Sequence, residues 1–257
     1  MLTETDPRVL AATNLRAVLG ALPRLVELVP EAARILRTLP APTTLSLLAP
    51  GLPVVRYRFS SDAIAEADEG RGPTLLFRSA AHANAVIAGT AQPIPVAGPG
   101  GIRFLTRVFT PLTDLLGVYL KPSEDRLTDP DFRRISTLMT LEVAVRAIAV
   151  IGNEDRSGRF SAAHMPDGDL DLEVGDDLRY RLEVKGHRLR LDDDLSGPPR
   201  AALRFADLDV AGGVIGGRDS ALACVCDGRL AMRGFIPLVD NTSRILDRVG
   251  AYLGADA

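Results

Sequence analysis

Three short stretches in the C-terminal half alternate apolar and polar residues with period two: residues 169–174, 180–184 and 188–191. Strict alternation buries one face and wets the other, so each predicts a half-buried strand of an antiparallel sheet. Lys185 and Gly186 supply a tight turn between the last two. Residues 201–205 predict a further strand. Residues 207–217 predict a short helix that stops on Gly216 and Gly217, which tolerate the left-handed conformation of a helix C-terminus. Asp227 and Gly228, flanked by apolar runs at 222–226 and 229–233, predict a β-hairpin. Ile245, Leu246, Val249, Tyr252 and Leu253 recur at helical spacing, which predicts an amphipathic helix over 241–253. The N-terminal half opens instead on helical patterns at 7–22 and 31–39. Together these elements predict an α+β fold, an antiparallel sheet covered by helices.

The same pattern is written twice. Val55-Arg56-Tyr57-Arg58-Phe59 recurs as Leu178-Arg179-Tyr180-Arg181-Leu182, at an offset of 123 residues. Leu75-Leu76-Phe77 through Val86-Ile87-Ala88-Gly89 recurs as Leu203-Arg204-Phe205 through Val214-Ile215-Gly216-Gly217, at offset 128, and Gly100 and Ile102 match Gly228 and Leu230 at that offset. Asp114-Leu115-Leu116-Gly117-Val118-Tyr119-Leu120 recurs as Asp247-Arg248-Val249-Gly250-Ala251-Tyr252-Leu253, at offset 133. Three blocks in one order, with loop-sized steps between offsets, predict a tandem of two related domains, 1–125 and 126–257. Each has an ordinary domain size.

Composition narrows the function. The chain of 257 residues is 46% apolar and 25% charged, enough to bury real cores. With 30 Lys+Arg against 33 Asp+Glu it has no cationic field, which argues against nucleic acid as a partner. Only Lys121 and Lys185 are lysines, a bias we read as that of a GC-rich genome. The opening residues carry an acid where a secretory signal has its basic region, so a cytoplasmic location is expected. The longest uncharged stretch, 79–102, is broken by Pro93, Pro95 and Pro99, so no transmembrane segment is expected in the chain. Cys224 and Cys226 would share one strand face, where a disulfide is badly strained, and are expected as small core residues. Residues 1–125 carry far fewer charges than 126–257, a surface suited to packing on the other copy or meeting something greasy.

The ungapped run from Ala201 through Gly234 resembles the sterol carrier protein type 2 domain family of lipid-binding proteins. That family places an apolar-apolar-x-Gly-Lys element at the end of a short helix, and Gly-Lys-Leu-x-Ile-x-Gly before a terminal helix. Here they stand as Val214-Ile215-Gly216-Gly217-Arg218 and Gly228-Arg229-Leu230-Ala231-Met232-Arg233-Gly234, with Arg for Lys both times. The first copy keeps Val86-Ile87-Ala88-Gly89 but has Thr90 and Gly101 where the second has bases, and looks like a degenerate relative. The resemblance implies an apolar tunnel for fatty acids, acyl-CoA, sterols or similar lipids, with no catalytic residues. It implies a ligand-binding wall drawn from Phe205, Val214, Leu222, Met232, Phe235, Ile245, Leu246, Val249 and Tyr252. Leu222 stands where family members often have Gln, and Cys224, Val225 and Cys226 occupy an interval that is often aromatic.

No catalytic constellation emerges from the spacing. His82, His164 and His187 are scattered outside any metal or nucleophile motif. Asp167, Asp169 and Asp171 open like a calcium loop, but Leu172 replaces its glycine and Leu178 its closing glutamate. Asp192-Asp193-Asp194 reads as a solvated turn. Gly98-Pro99-Gly100-Gly101 lacks the Lys-Ser/Thr of a phosphate loop and is expected as a turn. No cofactor and no metal site is expected. The leading reading is non-catalytic binding or transport of a hydrophobic small molecule. The alternative is an enzyme or accessory protein acting on a terpenoid or polyketide, with Asp240-Asn241 or His82 and Asn84 as acid-base groups. A third reading is a scaffold that touches a membrane or partner enzyme transiently through helices within 7–39.

Overall fold

The structure is a computed structural model that describes residues 5–176, 178–215 and 218–254. The chain divides into two units: Leu10–Met139, and Thr140 onward together with the residues up to Val9. The division falls inside one helix, Pro130–Glu154.

The helical pattern at the start folds as α1 (Pro7–Thr13), a π-helical stretch Asn14–Val18, a 3-10 turn Leu19–Ala21 and α2 (Leu22–Leu28), followed by α3 (Pro30–Leu36). Pro23 and Pro30 sit in first turns, where a missing N–H leaves no bond unmade. Next come β1 (Thr43–Leu48), β2 (Val55–Phe59), β3 (Ile64–Glu66), β4 (Thr74–Leu76), α4 (Ala80–Ile87) and β5 (Ile94–Val96). The helix α5 (Pro99–Phe104) runs through a π-helical stretch, Leu105–Phe109, into α6 (Thr110–Leu120). Then follow α7 (Glu124–Leu127) and α8 (Pro130–Glu154). The strands lie in the order β3-β2-β1-β4-β5.

The C-terminal unit continues with α9 (Arg156–Ala162), β6 (Gly168–Val174), β7 (Leu178–Lys185), β8 (Arg188–Asp192), β9 (Ala201–Phe205), α10 (Leu208–Ile215), α11 (Ala221–Cys226), β10 (Leu230–Gly234) and α12 (Ile236–Leu253). Its strand order is β8-β7-β6-β9-β10, so counted within each unit both sheets read 3-2-1-4-5. The pairing senses also agree. The central strand is antiparallel to its predecessor in the order (β1 to β2, β6 to β7) and parallel to the next (β1 to β4, β6 to β9), and the outer pairs are antiparallel. The sheets are therefore antiparallel apart from one parallel pair each, and the fold class is α+β.

Several local expectations hold and three change. The turn after β7 places Gly186 and His187 both at positive φ, 54° and 61°, the two-residue geometry whose twist suits a hairpin. Residues 222–226 do not form a strand: Ser220 caps α11 by accepting from the Ala223 N–H at 3.4 Å, and β10 pairs with β9 instead. On a helix the two cysteines separate, Cys224 buried and Cys226 exposed, both free. The segment Gly98-Pro99-Gly100-Gly101 is not a turn, because α5 starts at Pro99. The match of Gly100 and Ile102 to Gly228 and Leu230 thus joins a helix to a turn and strand. The other blocks fall on equivalent elements: β2 with β7, the end of α4 with that of α10, the end of α6 with that of α12. The helix end expected at Gly216 and Gly217 lies outside the described residues.

The sequence pattern predicts no spanning segment. Two stretches, Pro7–Leu28 and Pro130–Glu154, are long and apolar enough by length and composition to cross a membrane, with 67% and 72% of their apolar windows buried inside the protein. Core helices pass the same test.

Candidate functional site: an apolar cavity in the first unit

The Leu10–Met139 unit contains a cavity of about 570 Å³. Its floor is the sheet. Leu47 of β1, Leu75 of β4 and Phe77 just after β4 are buried, and alternation along a strand sends Leu75 and Phe77 to the same face. One wall is the end of α4, Val86 and Ile87, with the loop from Gly89 to Pro93 and Pro95 of β5. The other is the run from α5 to α6, which contributes buried Leu105 and Phe109, half-buried Thr113, and exposed Ile102, Thr106, Thr110 and Asp114.

Local chemistry sets each wall. Ser79 caps α4 by accepting from the His82 N–H, and Gly89, at φ 77°, turns the chain back toward β5. Pro93 and Pro95 are tolerated because β5 is an edge strand with an outward side that needs no donor. Phe59 of β2 meets Phe104 edge-on at 5.0 Å and Phe109 at 6.3 Å, which fixes the helical wall over the sheet. The π-helical stretch between those two phenylalanines widens the helix where it passes the cavity.

The wall is more apolar than its composition suggests. Thr106 Oγ1 donates to the Ile102 carbonyl at 3.0 Å and Thr113 Oγ1 to the Thr110 carbonyl at 2.9 Å, so both hydroxyls are tied back to their own helix. His82 braces the loop: its Nδ1 accepts from the Arg78 N–H at 2.9 Å and its Nε2 lies 3.1 Å from the Gln92 carbonyl, which assigns the proton to Nε2. A second, polar hollow of about 330 Å³ is lined by Thr43, Arg71, Gly72, Pro73, Ala97, Gly98, Gly100 and Gly101.

The residues expected as a ligand wall all belong to the other unit. Phe205, Ile245, Val249 and Tyr252 are buried, and Val214 and Leu246 half-buried. Leu222, Met232 and Phe235 are exposed, at 73%, 50% and 39%. Packing of α12 on β9 and β10 brings the buried group into one helix-on-sheet layer, whereas Leu222 lies on the outside of α11. The signal for the first-unit cavity was nonetheless in the duplication. At offset 128 Phe205 and Val214 fall on Phe77 and Val86, and Met232, opposite Leu203, corresponds to Pro95, opposite Leu75.

A buried ionic cluster in the C-terminal unit ties elements together. Asp155 caps α9 through the N–H groups of Ser157 and Gly158, accepts from the Tyr252 hydroxyl at 2.7 Å and pairs with Arg248 at 3.2 Å. The Tyr252 oxygen in turn accepts from the Asp6 N–H. Burial pushes the Asp155 carboxyl up, but hydrogen bonds from Tyr252, Gly158 and Arg248 together outweigh it and hold the group below its ordinary range. Burial, then the bond to Asp155, pushes the Tyr252 hydroxyl up to about 12.

The two alternative acid-base pairs fall one in each unit. His82 and Asn84 lie in the first unit, where Asn84 accepts from Asn14 at 3.1 Å. Asp240 and Asn241 lie in the other, bound to Arg244 and to the Pro237 carbonyl. Among the described residues no group of three or more His, Cys, Asp or Glu could hold a metal ion.

No protein-family model and no curated protein matches the chain. A solved structure titled "UbiJ-SCP2 Ubiquinone synthesis protein" is similar over 42% of this chain and 95% of its own, at 16% identity and a TM-score of 0.33.

Proposed function

We propose that this protein binds or carries a hydrophobic small molecule without catalysing a reaction, that its two units are related sterol-carrier-like domains, and that it works in the cytoplasm. The observation that carries the reading is the 570 Å³ cavity, whose floor and walls are supplied by Leu47, Leu75, Phe77, Val86, Leu105 and Phe109. Cavities of roughly 300–1,000 Å³ lined this way take small apolar ligands. Affinity would come from area, about 25 cal/mol for each Å² of apolar surface removed from water. The threonine hydroxyls tied to their own helix support this use, since they present an alkyl chain with no competing donor.

Native mass spectrometry of the purified protein, followed by organic extraction, tests the proposal. A retained lipid or isoprenoid would support it and name the ligand class. Protein that carries nothing, and takes up neither a fluorescent fatty acid nor a fluorescent sterol at micromolar concentration, would overturn it.

A further inference from the structure

The strand β10 ends one side of the C-terminal sheet, and half of its backbone is used. The Ala206 N–H donates to the Arg229 carbonyl at 2.9 Å and the Phe235 N–H to the Arg200 carbonyl at 3.1 Å, both in the register of β9 with β10. Bonded and non-bonded pairs alternate along an antiparallel ladder. Ala231 and Arg233 therefore also bond inward, while Leu230, Met232 and Gly234 turn their N–H and C=O groups away from β9. Among the described residues no strand lies on that side.

The equivalent edge of the first unit is closed to pairing. The Phe77 N–H donates to the Leu48 carbonyl at 2.8 Å, so Leu75, two residues earlier, also turns its backbone toward β1. Pro95, opposite Leu75 in β5, therefore faces outward, and proline has no N–H to offer a further strand. Met232 holds the matching place in β10, opposite Leu203, and keeps its donor. Edge strands are commonly blunted by proline or by a charge; β10 has no proline, and its Arg233 is bound to Glu173 of β6. Apolar surface gathers at the same edge. Of the five exposed large apolar side chains described in the C-terminal unit, Met232 lies on β10, Phe235 and Ile236 directly follow it, and Leu222 lies on α11, which packs against it.

The residues of β10 fit their own reverse. Laid antiparallel on a second copy about a two-fold axis at Met232, Leu230 faces Gly234, Ala231 faces Arg233 and Met232 faces itself. Each longer side chain away from the axis meets a small one, no two arginines stand directly opposite, and the charge of Arg233 is already balanced by Glu173. We propose that β10 pairs in this way with β10 of a second copy of this chain, joining two five-stranded sheets into one. The outward groups of Met232 exchange hydrogen bonds with those of its counterpart, and those of Leu230 with those of Gly234. The interface is isologous and sets the two apolar edges side by side.

Sedimentation equilibrium of the full chain from about 1 to 100 µM tests the assignment, since the share of dimer rises with concentration. At the upper end the wild type should sediment at twice the mass of one chain. Met232→Pro copies the edge of the first unit and removes an outward N–H alone, and Met232→Lys sets two like charges across the axis. Each should weaken the dimer at least about tenfold, whereas Met232→Leu should leave it intact. The side chain is exposed, and circular dichroism checks that each variant folds. Exchange of the Met232 and Gly234 amides should slow as wild-type concentration rises, and should be independent of concentration in Met232→Lys. A wild type that stays monomeric throughout, a dimer that both the proline and the lysine variant retain, or amides that exchange alike at every concentration would overturn the proposal.

Discussion

Val86→Trp should shorten the cavity by a measurable number of carbons. Val86 is half-buried on α4 and lines the cavity opposite the α5 to α6 wall. The replacement adds about seven heavy atoms, and at about 30 Å³ for each water-sized group it removes roughly 200 Å³, about a third of the space. The chain contains no tryptophan, so the same substitution installs a fluorescent reporter inside the site. For a homologous series of saturated fatty acids from octanoate to stearate, affinity should rise about fourfold per methylene, from about 0.8 kcal/mol each, until the cavity is full. The slope should be the same in both proteins, and the plateau should come about seven methylenes earlier in the variant. For the longest chains the loss is bounded at about 6 kcal/mol, and exposed Ile94 and Val96 on β5 would reduce it by sheltering a displaced tail. Isothermal titration reads both proteins, and tryptophan emission checks the variant. An unchanged plateau would refute the placement of the chain along this wall.

Further outcomes concern the scaffold. Asp155→Ala should cost the C-terminal unit about 3 kcal/mol in chemical denaturation, from a lost cap and a partly buried Arg248 left without its carboxylate, whereas Asp155→Asn, which keeps the cap, should cost about half as much. Because its pKa is depressed in the folded state, the stability Asp155 contributes is present above its unfolded value near 3.9 and is lost as pH falls through the folded one, so wild type and Asp155→Asn should converge in acid. Tyr252 runs the other way: its contribution is complete below about pH 10 and lost as pH rises toward about 12, a limb that Tyr252→Phe should lack. Thr242 is fully buried on α12 and its hydroxyl has no partner among the described residues, so Thr242→Val should raise stability by about 1 kcal/mol in a urea titration. Gly234→Ala should cost more than about 2 kcal/mol in the same assay, since φ is 85° and the new Cβ would stand 2.3 Å from the Arg200 carbonyl oxygen.

Where the sequence was legible, one physical signal dominated. The strands β6, β7 and β8 alternate cleanly because each buries one face, and the turn between the last two sits on residues suited to positive φ. The segment 222–226 misled because a short apolar run beside Asp-Gly satisfies a strand as well as a helix. The discriminating residue was Ser220, a helix cap placed just before it. The first sheet hid for a different reason. Its β3, β4 and β5 have three residues each, too few to show a period, and β5 holds a proline. The glycine motifs of the C-terminal half were the clearer signal. Those motifs report turns and close backbone approach, which both units need whether or not either keeps a cavity.

The difference between the units lies in what joins the helix after the fourth strand to the edge strand. In the C-terminal unit that interval contains α11, which packs on β10 and buries Cys224 completely. In the first unit the same interval is a loop without a helix, and Gly89, Ala91, Gln92 and Pro93 of that loop line the cavity. The final helices diverge in the same sense. α12 runs unbroken for 18 residues, while its counterpart passes through a π-helical stretch at the cavity wall. Both differences border the first unit's cavity, and neither touches a strand. The shared strand order and pairing senses are what a tandem of related units predicts: loops and helices around a sheet can differ while the sheet, whose register is set by its alternating faces, stays the same.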